Sequence, residues 1–437
     1  MIDLLYITAH MGGGAGKAIS GIIKNTSDKC KNTIVLLEKP VEEKYSQVCQ
    51  TCGADLITEP SCEEIIKLAE DADAVIFNWW AHPLTVDLIR KLGKAKTRLV
   101  LWSHINGLQY PVLTPEFLLQ FEGLLFTSPC SAKNSCFSDS DKNLILKKSA
   151  FVYGTGDFRP LNYSFKTDYE TRKEIRIGYI GTLDFAKLNS HFPRICSEIK
   201  RRVPKVQFVL CGKYSEDFIN NFFSEYPDLK GCIEFTGYIN NPEKYLLSFD
   251  TFCYPLSENN YATTENALLE AMAAGLPVIV LDNPPEREIV ENDMTGFVAS
   301  DVNDFIEKCI ILCNDADKRK TLGMSARRSV IDKYDADVNA DSFITAVENS
   351  LSSDKRGHDF EKLIGSDIFG NFLYFTGEDK EKILRLFAEA DVHLPEIYYS
   401  FSKSSPMHYI DYFRNDKFEK LCRLLHPKKF IGSEDGK

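Results

Sequence analysis

The 437-residue chain has no surplus of positive charge. Its 52 lysines and arginines stand against 63 aspartates and glutamates, a formal net charge of -11. Nucleic-acid binding needs a basic surface to displace the counterions around phosphates, so nucleic acid is excluded as the main partner. A phosphorylated small molecule, which needs only one or two local cations, is not excluded. No apolar run approaches the ~20 residues of a membrane-spanning helix. The start, Met1-Ile2-Asp3-Leu4-Leu5-Tyr6-Ile7, lacks the basic opening and cleavage signature of a secretory leader. A cytoplasmic location is expected. The 13 cysteines are odd in number and scattered, and Cys49-x-x-Cys52 has no second pair at zinc-ligand spacing. Buried thiols, with neither disulfides nor a structural metal, are the expectation.

A chain of this length exceeds what one hydrophobic core usually serves, roughly 250–300 residues, so two domains are expected. Short apolar runs at Leu4–Thr8, Thr33–Leu37, Ala74–Phe77, Leu99–Trp102 and Leu124–Thr127 read as strands. Amphipathic stretches such as Cys62–Glu70 and Thr85–Leu92 lie between them. Beyond a polar connector at Lys166–Glu174, strands are expected at Ile175–Ile180, Phe208–Leu210, Ile233–Phe235, Thr251–Tyr254 and Val278–Leu281. Strand–helix alternation of this kind gives parallel sheets covered on both faces. The expected domains are 1–165, 166–350 and a mostly helical C-terminal extension, 351–437, rich in tyrosine and phenylalanine. Ligands of such sheets bind at the carboxyl ends of the strands.

Two segments point to a phosphate-bearing ligand. Met11-Gly12-Gly13-Gly14-Ala15-Gly16-Lys17 follows the first strand and opens a helical pattern. Its glycines, Gly13 and Gly14 among them, allow close backbone approach, and a helix start offers unpaired N–H groups. A tight strand-to-helix turn accounts for it equally well. It is not a P-loop of the Walker A type, because Met11 and Ala18 replace the required Gly and Ser or Thr. The second segment runs Thr263-Thr264-Glu265-Asn266-Ala267-Leu268-Leu269-Glu270-Ala271-Met272-Ala273-Ala274-Gly275-Leu276-Pro277. Thr263 or Thr264 is the expected helix cap, Gly275 the stop, and Pro277 the lead into a buried strand. The start of that helix suits a diphosphate, and a mid-helix carboxylate such as Glu270 can accept both hydroxyls of a ribose, although a solvated helix face accounts for a lone glutamate as well.

The second segment resembles the donor-binding segment of the retaining glycosyltransferases of family 4, the glycosyl transferases group 1. Five further pieces resemble that family in order: Gly154-Thr155-Gly156-Asp157-Phe158-Arg159-Pro160, Ile180-Gly181-Thr182-Leu183-Asp184-Phe185-Ala186-Lys187, Phe208-Val209-Leu210-Cys211-Gly212, Phe235-Thr236-Gly237-Tyr238 and Asp293-Met294-Thr295-Gly296-Phe297-Val298. The resemblance implies a GT-B fold: two Rossmann-like parallel-sheet domains facing across a cleft. It implies a nucleotide-sugar donor, a saccharide or lipid-linked acceptor, retention at the anomeric carbon, and neither metal nor cofactor. It implies that Glu270 holds the ribose, that Lys187 pairs with the diphosphate, and that Gly181, Thr182 and the Thr264–Asn266 main chain approach the donor. His104 would contact the donor sugar, and His104, Lys187 and Glu265 form the implied catalytic set. His82 is a weaker candidate. The adjacent Trp79 and Trp80 read as core or as a sugar platform.

The chain departs from the family pattern at two positions. Ala262 stands where the family has a glutamate, and Thr182 where it has a phosphate-binding arginine; Glu265, Lys213 or Lys17 are the nearby replacements. These departures motivate an alternative, a catalytically silent sugar-nucleotide-binding or scaffolding subunit. Tyr409–Leu425 mixes aromatics with Arg414, Lys417, Lys420 and Arg423. It reads either as a helix packed on the chain's own body or on a dimer partner, or as a peripheral membrane contact.

Overall fold

The structure, a computed structural model, describes residues 1–40, 43–154, 165–170, 174–258, 260–389, 392–400 and 404–427. The chain forms two compact units, Met1–Gly156 with Asn339–Lys437, and Asp157–Val338.

The first unit is built on a sheet of seven described strands, β1 (Ile2–Thr8), β2 (Cys30–Leu36), β3 (Asp55–Thr58), β4 (Ala74–Trp79), β5 (Leu99–Ser103), β6 (Gly123–Phe126) and β7 (Ser149–Phe151). Their order is β3-β2-β1-β4-β5-β6-β7, with the paired strands parallel. β4 and β5 are buried along their whole length, which is why they read as unbroken apolar runs. The second unit holds β8 (Ile175–Ile180), β9 (Val206–Cys211), β10 (Ile233–Gly237), β11 (Thr251–Tyr254), β12 (Val278–Leu281) and β13 (Phe297–Ala299), in the order β10-β9-β8-β11-β12-β13. In both sheets the strand order reverses beside the first strand, β1 next to β4 and β8 next to β11. At such a reversal the crossover helices leave toward opposite faces and open a crevice at the carboxyl ends.

Three strands escaped the sequence reading: β3, β7 and β13. Each is short and lies at a sheet edge. An edge strand that is only part-buried, as β3 and β7 are, carries no continuous apolar run to betray it.

The expected domain limits of 165 and 350 differ from the division seen here. The chain returns to the first unit within the Ala336–Leu351 helix, whose Phe343 and Val347 enter the core formed by Tyr6, Ile34 and Trp102. Residues 351–437 belong to that unit and do not stand apart from it. A buried carboxylate fastens them. Glu122 takes the Leu99 amide at 2.7 Å, Arg356 Nε at 2.7 Å and the His358 ring at 3.1 Å. Burial raises its pKa, but the His358 ring, the Leu99 amide and Arg356 together outweigh this and leave it lowered. The Asp416–Leu425 helix turns Phe418, Leu421, Cys422 and Leu425 inward, and Phe418 stacks on Tyr409 at 4.7 Å. Its apolar face therefore packs on the chain itself, as the first of the two sequence readings has it. No helix among the described residues is long and apolar enough to cross a membrane. Of the family-like segment Gly154–Pro160, residues 155–160 lie outside the described residues.

Candidate active site

The site candidates fall into two sets, one on each unit. On the second unit they gather at the carboxyl ends of β8 and β11. After β8 the chain turns through Gly181 and the exposed Thr182, and Asp184 Oδ1 takes the Ala186 amide at 2.8 Å. This turn sets Lys187, whose carbonyl receives the Ser257 amide at 2.8 Å from the segment beyond β11. The turn is close-packed: a Cβ on Gly212, after β9, would lie 1.7 Å from the Gly181 carbonyl oxygen. The Lys187 ammonium donates to Glu265 Oε2 at 3.1 Å and lies 5.5 Å from the centre of the Tyr254 ring. The Tyr254 hydroxyl donates to the same Glu265 oxygen.

The expected threonine cap is corrected by this arrangement. The helix runs Asn266–Ala273 and its N-cap residue is Glu265, which makes no capping hydrogen bond. The carboxylate is drawn away to Lys187 and Tyr254, so the first amides of the helix are left without a side-chain cap. Asn266, in the first turn, has a buried Oδ1 with no hydrogen-bond partner, an unmet acceptor of the kind that ligands or water satisfy. Thr264 and Glu270 are partly exposed on the same segment. Lys213, a candidate substitute for the cation missing at Thr182, lies 5.3 Å over the Tyr238 ring.

A second carboxyl stands in this cluster that the sequence reading missed. Glu286 follows β12, is fully buried, and neither oxygen makes a hydrogen bond, although its own amide and the Asn283 side chain lie nearby. Burial first, and the Glu265 carboxylate second, push its pKa up to about 8. It is therefore a neutral acid at pH 7. Burial likewise pushes Tyr261 up to about 12, against the pull of Lys187, and holds Tyr254 well above the ordinary phenol range. Around Glu265 the cluster thus brings together the Lys187 cation, the Tyr254 hydroxyl and the Glu286 acid.

On the first unit, His104 directly follows β5. Asn78 uses its Nδ2 on the Ile7 and Ile76 carbonyls at 3.2 and 3.3 Å, so its Oδ1, 2.9 Å from His104 Nε2, is the acceptor. The proton therefore sits on Nε2, and Nδ1 keeps its lone pair. Burial lowers the pKa of this ring to about 3, so it stays neutral. The glycines of the first loop divide by role. Gly16 packs, since a Cβ there would stand 2.0 Å from the Met11 carbonyl oxygen, whereas Gly13 has φ +57° with nothing near. Gly13 and Gly14 are exposed at the start of the Gly13–Thr26 helix, whose N-cap, Gly12, supplies no capping side chain. The tryptophan pair also divides. Trp79 is core, while Trp80 is partly exposed, 6.0 Å from the His104 ring. His82 is buried and receives the Leu84 amide on Nδ1 at 3.3 Å. Among the described residues no group of three or more His, Cys, Asp or Glu is arranged to hold a metal ion.

Residues 174–315 match the sequence family described as Glycosyl transferases group 1. No curated protein matches the chain. Among solved structures, HepE from Anabaena in complex with UDP and glucose is similar, with a TM-score of 0.62 at 13% identity, over 80% of this chain and 100% of that one. Sucrose-phosphate synthase from Thermosynechococcus elongatus gives 0.60 at 15% identity, over 80% and 100%. A glycosyltransferase from Rickettsia africae gives 0.63 at 14% identity, over 80% and 99%. These likenesses show the GT-B fold, and the family match places the site-bearing strands β8 to β13 inside a glycosyl transferases group 1 domain: the chain is a GT-B glycosyltransferase.

Proposed function

We propose that the chain moves a sugar from a nucleoside-diphosphate donor to a saccharide or lipid-linked acceptor, with retention at the anomeric carbon and without a metal. The observation that carries this reading is the Lys187–Glu265–Tyr254 cluster at the uncapped start of the Asn266–Ala273 helix. A departing nucleoside diphosphate accumulates negative charge, and preorganised donors aimed at that charge lower the barrier. The Lys187 ammonium and the helix-start amides supply them. A charge-assisted hydrogen bond of this kind contributes about 1.5–3 kcal/mol. The neutral state of Glu286 matters here, because a second carboxylate beside Glu265 would repel the incoming diphosphate. Glu270 is assigned the ribose hydroxyls, the Thr264–Asn266 amides the phosphates, and the His104 Nδ1 lone pair a hydroxyl of the donor sugar.

The HepE complex with UDP and glucose makes UDP-glucose the first donor to test. Thermal shift with UDP, GDP and their sugars reads donor binding, since a ligand bound to the native state raises apparent stability. A rise that Lys187→Ala reduces supports the assignment, and no shift with any nucleotide refutes it. Proton NMR of the product reads the anomeric configuration, and EDTA leaves turnover unchanged. Ala262 and Thr182 favour a second reading, a silent donor-binding subunit. Binding with neither transfer nor donor hydrolysis would identify it.

A further inference from the structure

Glu286 is held in place from both sides. β12 pairs with β11 in parallel, Val280 opposite Tyr254. Just past β12, the Asn283 side chain donates to the Leu256 carbonyl at 3.4 Å, which ties this turn to the segment beyond β11. The Glu286 carbonyl then receives the Ile289 and Val290 amides at 3.0 and 2.8 Å. With its backbone fixed in this way, the fully buried side chain stays near Glu265, and neither of its oxygens is hydrogen-bonded. An unmet polar group in a packed interior calls for a reason.

Two carboxyls here depend on the Lys187 ammonium. The Lys187 side chain is 18% exposed and that of Glu265 only 4%, so an entering diphosphate meets the lysine before the carboxylate. Lys187 draws the Glu286 pKa down, while burial and Glu265 push it up and prevail. A diphosphate that claims the ammonium offsets the lowering influence and brings negative charge of its own. Glu265 then keeps the Tyr254 hydroxyl but shares its cation. Both changes oppose a second ionised carboxyl, because like charges close together in a desolvated site destabilise each other. The tyrosines facing the pair hold their protons at neutral and mildly alkaline pH. Burial pushes Tyr254 and Tyr179 well above the ordinary phenol range and Tyr261 up to about 12. Asp184, near Tyr179 and Tyr261, is a further carboxyl in the surroundings.

We propose that Glu286 acts through Glu265 as a positioning residue for the nucleoside diphosphate, and that the protein takes up a proton when the diphosphate claims the Lys187 ammonium. The proton passes from solvent to a Glu286 carboxylate oxygen and returns when the nucleotide leaves; no other bond changes. The inference rests on the donor-site reading above and adds a proton to its binding equilibrium. Below about pH 8 Glu286 already holds its proton and binding takes up little; above it, binding must first restore the proton, so affinity falls as the pH rises.

Isothermal titration calorimetry of the full-length protein with UDP reads both the affinity and the proton count, at pH 7, 8 and 9 and in two buffers of different ionisation enthalpy at each pH. Titration of the nucleotide itself is common to the wild type and Glu286→Gln and cancels between them. The expected uptake in excess of the variant grows from about 0.1 proton per UDP at pH 7 to about 0.9 at pH 9, with about tenfold weaker binding over that span. Glu286→Gln, which cannot ionise, should lack both effects. A wild-type uptake that does not rise with pH overturns the proposal without need of a variant, as does a Glu286→Gln protein that matches the wild type in uptake and pH slope. UDP bound with pH-independent affinity removes this inference and leaves the functional reading standing, whereas no UDP binding at any pH counts against the functional reading itself.

Discussion

Glu286→Gln tests the electrostatics of the candidate donor site without any substrate. In the unfolded chain this carboxyl titrates near 4.5, and in the native state, where burial and the Glu265 carboxylate oppose its ionisation, near 8. Between those values the native protein keeps a proton that the unfolded chain has lost, so raising the pH favours unfolding. The slope is about 1.4 kcal/mol per pH unit. Across the window the native state loses on the order of 5 kcal/mol, and above pH 8 the loss levels off. Glutamine has nearly the same shape and no proton to lose. The variant should therefore lack this fall, and above pH 8 it should exceed the wild type by up to about 5 kcal/mol. All three tryptophans, Trp79, Trp80 and Trp102, belong to the first unit. The suitable readout is therefore amide hydrogen exchange in β11 and β12, which reports the second unit's own stability. Wild-type and variant curves running parallel from about pH 5 to 9 would refute the buried neutral acid.

Three further outcomes are expected. Lys166→Met strands Asp250, a fully buried carboxylate 3.3 Å from the Lys166 ammonium; urea titration should show the second unit weakened by about 3–5 kcal/mol. Glu122 has a lowered pKa, so its contribution is present above the unfolded pKa and is lost as the pH falls through the folded one. Tryptophan fluorescence should show the first unit losing stability on acidification, and Glu122→Gln should flatten that loss. Lys187→Ala removes the cation of the donor cluster, and competition binding should show UDP affinity reduced by about 1.5–3 kcal/mol.

Sequence pattern made the two sheets legible because their central strands are buried on both faces, as with β4, β5 and β12. It made the Asn266–Ala273 helix legible through its apolar spacing and the stop at Gly275. What it could not supply were relations between distant segments. Glu286 acquires its role only because β12 lies beside β11, and nothing in Pro284-Pro285-Glu286-Arg287 signals a carboxyl beside Glu265. A carboxylate just past the end of an expected strand was the available clue. Thr263 and Thr264 looked like caps because propensity is local, whereas the pairing of Glu265 with Lys187 is not. Glu38 and Tyr412 are joined by one hydrogen bond across nearly the whole chain. The helicity of residues 336–351 was within reach of pattern, but which unit Phe343 would join was not.

The way the polypeptide leaves and re-enters the first unit bears on how the protein is made. Phe343 packs 6.2 Å from Tyr6 and 5.9 Å from Trp102. The apolar side of the earliest strands is thus covered by residues that leave the ribosome only after the whole of 157–338. Domains usually complete themselves in order of synthesis; here the segment begun second is finished first. The nascent β1–β6 region must wait with bare hydrocarbon facing solvent, which makes it the natural client of a holding chaperone. A ribosome stalled before residue 339 should release a folded second unit attached to an aggregation-prone first one.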